Sequence, residues 1–297
     1  MQYEMIDTEK TVADKRETII TNMQKDYYAR DGFLVLKNFI PVDICKFLIA
    51  RMRTLINEFD PGVMKTIFSS KNPAHANQQY FLESGDKIRF FFEEAAFDDT
   101  GELRGDKEFC INKVGHALHD LDPAFYCFSR LHKIGALLND LNIVDPQIMQ
   151  SMYICKQPEF GGEVTCHQDS TYLHVKEQPI TGLWFALEDA TMHNGCLWVI
   201  PGGHQTPLKS RMLRDKHNHV CTQVYDDTPW PLERMIPLEV PRGTLVLLHG
   251  LLPHMSKENM SDHSRHAYTL HVMSGKHEFA QDNWLRRGED MPLRGML

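Results

Sequence analysis

The chain has 297 residues, 42% of them hydrophobic, and a formal net charge of −8; it is long enough to bury a sizeable core, and its acidic balance argues against nucleic-acid phosphates, which are met by basic surfaces. Seven cysteines (Cys45, Cys110, Cys127, Cys155, Cys166, Cys196 and Cys221) give an odd number with no C-x-x-C pair, so they read as reduced thiols and not as a disulfide framework. No apolar run reaches the ~20 residues of a membrane span, and neither the polar start MQYEMIDTEKTVADK nor the ending Gly295-Met296-Leu297 reads as a targeting signal, so the expected setting is the cytoplasm, without membrane or nucleic acid.

In chain order, residues 8–28 are mostly polar helix formers that stop before Asp31-Gly32. GFLVLKNFI (Gly32–Ile40) reads as a strand. Pro41 suits the first turn of a helix, and Val42, Cys45, Leu48, Ile49, Met52, Leu55 and Ile56 follow at helical spacing. After Asp122-Pro123 a further helix is predicted across Ala124–Leu141. From Gln147 the pattern changes to short β-rich runs between turn signals: QIMQSMYICK, GEVTCHQD, TGLWFAL, CLWVI, RMIPLEV, GTLVLLH and AYTLHVM. Such runs predict a β-sandwich or barrel with helices outside. The whole chain is expected to be one domain, with a helix-rich flanking part over 8–146 and a barrel core over 147–275.

There are sixteen histidines, and only His167 has a carboxylate two residues on, in H167-Q168-D169. On a strand, residues i and i+2 face the same way, so His167 and Asp169 are expected to hold one metal together. His254, in H249-G-L-L-P-H254-M-S256, supplies the third ligand. Two His and one carboxylate leave open positions on an Fe(II) ion, whereas a structural zinc site is closed by four protein ligands. Arg265, further on, offers a planar guanidinium for the far carboxylate of a 2-oxo acid, and Ser256 adds a hydroxyl donor.

The order HQD…NGCLWVIPGGH…GTLVLLHGLLPHMS…SDHSRHAY resembles the phytanoyl-CoA dioxygenase superfamily, and DKIRFFFEE, INKVGHALHDLDP and SMYICKQPEFGGEV extend the resemblance from the early helix to Val272. It implies a mainly β fold with flanking helices, a double-stranded β-helix of the jelly-roll or cupin-like kind. It implies Fe(II) on the catalytic residues His167, Asp169 and His254, with 2-oxoglutarate and O₂ as cosubstrates and ascorbate as a supporting reductant. The residues toward 2-oxoglutarate fall on Lys113, Met152, Trp184, Ser256 and Arg265, beside His167 and Asp169. The expected reaction is hydroxylation of an organic substrate, a small molecule or acyl-CoA-like compound, with release of succinate and CO₂. Halogenating relatives lack the carboxylate that Asp169 supplies.

Read without the resemblance, several of these residues have plainer roles. Trp184 and Met152 sit among apolar strand residues and are core by default; Lys113 alone is a solvated lysine. His249 competes with His254 but ends an apolar strand before Gly250, so it reads as structural. Of His263, His266 and His271, His271 could point inward. His217-x-His219 reads as a surface loop, and Gln79–Phe92 with Pro207–Asp227 as the substrate mouth. Two other functions compete: a barrel that senses 2-oxoglutarate and metal without catalysis, and a hydrolase or isomerase using another metal.

Overall fold

Thr21 opens the first helix: its side chain accepts from the Gln24 backbone N–H, and the Gln24 side chain accepts in return from the Thr21 backbone. The structure, a computed structural model, describes residues 18–62, 66–67, 79–177 and 179–296. Helix α1 (Asn22–Asp31) ends at Gly32, which takes the left-handed φ of 81°. The rest of the polar helix expected from residue 8, up to residue 17, lies outside the described residues. Strand β1 (Phe33–Leu36) follows, then α2 (Val42–Glu58), which buries Cys45, Leu48, Ile49, Met52 and Ile56 while Val42 at its start is exposed.

The first half contributes more than helices. After α3 (Gln79–Leu82) come β2 (Ile88–Phe92), α4 (Lys107–Cys110) and β3 (Ile111–His116), and all three early strands join the large sheet. The aromatic run of β2 and the buried face of β3 are sheet-forming sequence that sits outside the strand-rich half. Beyond α5 (Leu118–Leu121), the single helix expected over Ala124–Leu141 is two, α6 (Pro123–Ser129) and α7 (His132–Asp140). Asp122 caps α6 through the backbone N–H groups of Ala124 and Phe125. The helix breaks where Arg130 turns inward to Asp120 and the His119 carbonyl.

From β4 (Pro146–Ile154) onward the chain alternates between two sheets. Strands β4, β6 (Thr181–Ala186), β11 (Leu245–His249) and β13 (Ala267–Ser274) lie in the large sheet; β5 (Val164–His167), β7 (Leu197–Val199), β10 (Ile236–Leu238) and β12 (His254–Ser256) form the small one. The large sheet runs β1-β11-β6-β13-β4-β3-β2, with β14 (Arg294–Gly295) beside β4; the small one runs β10-β7-β12-β5. All pairings between these strands are antiparallel. This interleaving is the double-stranded β-helix that was expected.

The large sheet is covered on both faces, which explains its continuous apolar runs. Leu183, Phe185, Leu245, Leu247, Tyr268 and Leu270 pack outward with α2, α6 and α7 in one cluster, while Trp184, Ala186, Val246 and Leu248 face the small sheet. The segment Pro207–Asp227, expected as a loop, is mostly a hairpin of β8 (Ser210–Arg214) and β9 (Val220–Val224), with exposed His217 and His219 at its turn. No described helix is long and apolar enough to cross a membrane.

Candidate active site

His167 closes β5 and His254 opens β12. Their antiparallel pairing puts the two directly opposite, with ring centroids 4.3 Å apart. Asp169 is not on the strand, contrary to the i, i+2 reading. It begins a short 3₁₀ turn after β5, and the Ser170 N–H bonds the Gly250 carbonyl at 2.9 Å to hold that turn. Between the two, Gln168 is buried: its amide donates to Leu251 O at 3.0 Å and its carbonyl accepts from Lys209 N at 3.0 Å. On the facing strand Gly182 leaves room, because a Cβ there would lie 3.2 Å from Asp169 Oδ2.

The proton positions are set by backbone carbonyls. His167 Nδ1–H donates to Thr165 O at 2.8 Å and His254 Nδ1–H to Leu252 O at 3.0 Å. Each ring therefore carries a bare Nε2, the tautomer a metal ligand needs. Both Nε2 atoms lie 3.6 Å from Asp169 Oδ1. That is too long for a hydrogen bond, yet one ion about 2 Å from each ligand atom can touch all three. These ligand atoms all lie within 4.8 Å of one another. Burial pushes His254 down to about 4. Burial alone would raise Asp169, but His254, His271 and His167 hold it well below the usual carboxylate range.

Beside this cluster lies a cavity of about 200 Å³ whose wall contains all eight of the expected residues. Arg265 is 1% exposed; its Nε donates to Gly195 O at 3.1 Å, its guanidinium lies 5.4 Å from the Trp184 ring, and its Nη1 has no partner. Trp184 Nε1 is also unpaired. Ser256, from β12, and Met152, from β4, complete this end. Lys113, from β3, is pushed down to about 7 by burial. The donors left over at the Arg265 end suit an anion, and a buried guanidinium nitrogen left unpaired is costly without one.

Sequence reasoning missed several parts. The Gly195 carbonyl orients Arg265, and a Cβ there would lie 2.6 Å from the Lys257 carbonyl and from Lys156. Lys156 is buried and pinned to Gly162 O at 2.7 Å and Lys257 O at 2.6 Å. His271 does point inward: its Nε2 is 3.2 Å from Asp169 Oδ2. His249 instead packs near Tyr28 and His204, away from the cavity. Of the two segments expected at the mouth, Phe81 and Met212 reach the wall, but Lys87, Arg89 and Arg211 do not line it; Lys87 pairs with Asp86 and Arg211 with Asp282.

Two interleaved sheets around a His-Asp-His cluster define a double-stranded β-helix of the oxygenase kind. Solved structures of this fold align over nearly the whole chain. The 2-oxoglutarate-dependent carbocyclase SnoK has a TM-score of 0.63 at 16% identity, over 93% of this chain and 96% of that one. EctD from S. alaskensis with 2-oxoglutarate and 5-hydroxyectoine has 0.63 at 19%, over 93% and 87%. The chain belongs to the phytanoyl-CoA dioxygenase family, whose model matches residues 28–267. It is 44% identical over 271 residues to a phytanoyl-CoA dioxygenase of Arabidopsis thaliana, covering 91% of this chain and 95% of that protein. It is 43% identical over 279 residues to phytanoyl-CoA dioxygenase domain-containing protein 1 of Bos taurus, covering 91% and 96%. It is a 2-oxoglutarate-dependent dioxygenase, with Fe(II) and 2-oxoglutarate as its cofactors.

Proposed function

We propose that this dioxygenase hydroxylates an organic substrate, a small molecule or an acyl-CoA-like compound, with iron held by His167, Asp169 and His254. The observation that carries the reading is the convergence of two bare Nε2 atoms and one carboxylate oxygen beside a buried arginine with an unpaired N–H. The donor set fits the metal: imidazole and carboxylate suit Fe(II), and no fourth protein ligand joins the cluster among the described residues. When bound, the iron supplies the redox chemistry that couples cleavage of 2-oxoglutarate to succinate and CO₂ with insertion of oxygen into a substrate C–H bond.

The protein's share is placement. Arg265 and Ser256 hold the distal carboxylate of 2-oxoglutarate, and Trp184 and Met152 wall its carbon chain. Lys113, titrating near neutrality, takes up a proton to face the same dianion. A dication, one carboxylate, one guanidinium and a dianion cancel in charge, so the protonated Lys113 is the one charge left over in the filled site. His271 holds Asp169 through its Oδ2, keeping the carboxylate on a single edge. The test is succinate release by the iron-loaded protein given 2-oxoglutarate and oxygen. Release that disappears in His167→Ala is the expected result; protein that takes up iron and never makes succinate under any substrate screen overturns the reading.

A further inference from the structure

At the end of the cavity away from Arg265, the polar groups present the opposite polarity. Gln150 lies on β4 directly across from His271 on β13, which in turn pairs with Gly182 on β6, the residue that makes room for Asp169. This places Gln150 level with the metal cluster. Its side chain is 4% exposed and lines the cavity. Its direction is set by a chain of hydrogen bonds. His271 Nε2–H donates to Asp169 Oδ2 at 3.2 Å, so its Nδ1 is an acceptor and takes the Gln150 amide N–H at 3.1 Å. The amide is thereby fixed with its carbonyl turned away from His271, and Gln150 Oε1 has no partner.

A second chain ends the same way. The Ser84 hydroxyl donates to Phe81 O at 2.6 Å, so it accepts from His116 Nδ1–H at 2.7 Å. His116, buried against the Phe81, Phe91 and Trp284 rings, is left with a bare Nε2 on the same cavity wall. The surroundings include the apolar Leu173 and Met212, the Trp284 ring with its unpaired Nε1–H, and the Lys113 ammonium beside the Phe81 and Phe91 rings. Gln150 Oε1, buried without a partner, is costly until a donor reaches it.

We propose that Gln150, with His116, selects substrates that bring a neutral hydrogen-bond donor, an O–H or N–H group on an apolar body, to the level of the metal. The proposal rests on the metal and 2-oxoglutarate assignment above. A site built to pair a donor discriminates strongly against an analogue that lacks it, because its acceptors are then left bare.

The test uses the full chain loaded with Fe(II) and 2-oxoglutarate without oxygen, and measures binding by calorimetry. The probes are indole against 1-methylindole, and 4-propylphenol against 4-propylanisole. The donor-bearing member of each pair is expected to bind at least about tenfold tighter, and Gln150→Met, which keeps the bulk but not the carbonyl, is expected to shrink that ratio severalfold. His116→Phe should shrink it independently. Equal binding within both pairs, no binding by any probe, or a ratio unchanged in both variants overturns the proposal. Failure of the protein to bind 2-oxoglutarate at all is a separate result, and it overturns the underlying site assignment instead.

Discussion

Two of the buried clusters of ionisable side chains among the described residues are finished differently. Around Asp120 the carboxylate is closed by two arginines, although the Arg287 Nε–H keeps no partner. Its Oδ1 accepts from Arg130 at 2.8 Å and its Oδ2 from Arg287 at 3.0 Å, while His119 gives its Nδ1 edge to Ser151 Oγ at 2.8 Å. The second cluster, His167, Asp169 and His254, is held just as firmly from behind, by Thr165 O, Leu252 O and His271. In front it is open: its ligand atoms face one another at 3.6 Å with nothing bonding them, and Arg265 nearby keeps a free N–H. The carboxylate that serves the fold has both oxygens satisfied by arginines of the fold; the one that serves chemistry is oriented by the fold and keeps an oxygen for a ligand to satisfy.

The sharpest way to break this contrast is to remove an open-cluster member. His167→Ala or Asp169→Ala should cut succinate formation by at least about 10⁴-fold, some 5 kcal/mol in barrier, while metal-free protein unfolds at an unchanged or higher temperature; a clear loss of thermal stability would mean the cluster is structural. Asp120→Ala is the converse. It leaves two buried arginines unpaired and should cost about 3–5 kcal/mol of stability by denaturant titration, with any folded fraction still binding iron. Arg265→Ala comes next. Anaerobic calorimetry should show 2-oxoglutarate binding weakened by about 2–4 kcal/mol, with iron affinity much less affected.

The smallest effect is on pH. Burial pushes Lys113 and Lys156 down to about 7 in the folded chain, whereas both stay protonated in the unfolded chain up to about 10. The unfolded chain therefore holds more protons on these two lysines above pH 7, so they add stability as the pH rises there, partly opposed by buried thiols such as Cys155 and Cys196 that burial keeps protonated. His119 and His266, pushed down to about 4, add stability that is present above about 6.5 and lost as the pH falls toward 4. Metal-free protein should thus gain about 1–3 kcal/mol between pH 7 and 8.5 in urea titrations; a flat or falling profile would show that the two lysines are solvated.

The same contrast marks what could be read from the sequence. H-x-D, the later His254 and Arg265 were legible because metal and carboxylate chemistry restrict residue types and order. The strands of the second half were legible from their short β-rich runs. Strands β2 and β3 were not, since RFFF and INKVGH lie amid helical segments and join the large sheet only through the pairing of β3 with β4. The break between α6 and α7 depends on Arg130 reaching Asp120, a tertiary contact with no local signature. Gln150, His116 and Gly195 went unnoticed for a related reason: their roles lie in hydrogen bonds to residues far along the chain, and a glutamine or a glycine in a strand-rich segment carries no signal of that.

The most direct measurement is X-ray absorption at the iron edge on the anaerobic complex of the full chain with Fe(II) and 2-oxoglutarate, compared with His254→Ala. The account predicts one iron per chain, with two imidazole nitrogens and carboxylate oxygen at ~2.0–2.2 Å, the remaining positions held by 2-oxoglutarate and water, and one imidazole fewer in the variant. An ion closed by a fourth side chain, or one whose coordination is the same in the variant, would contradict it.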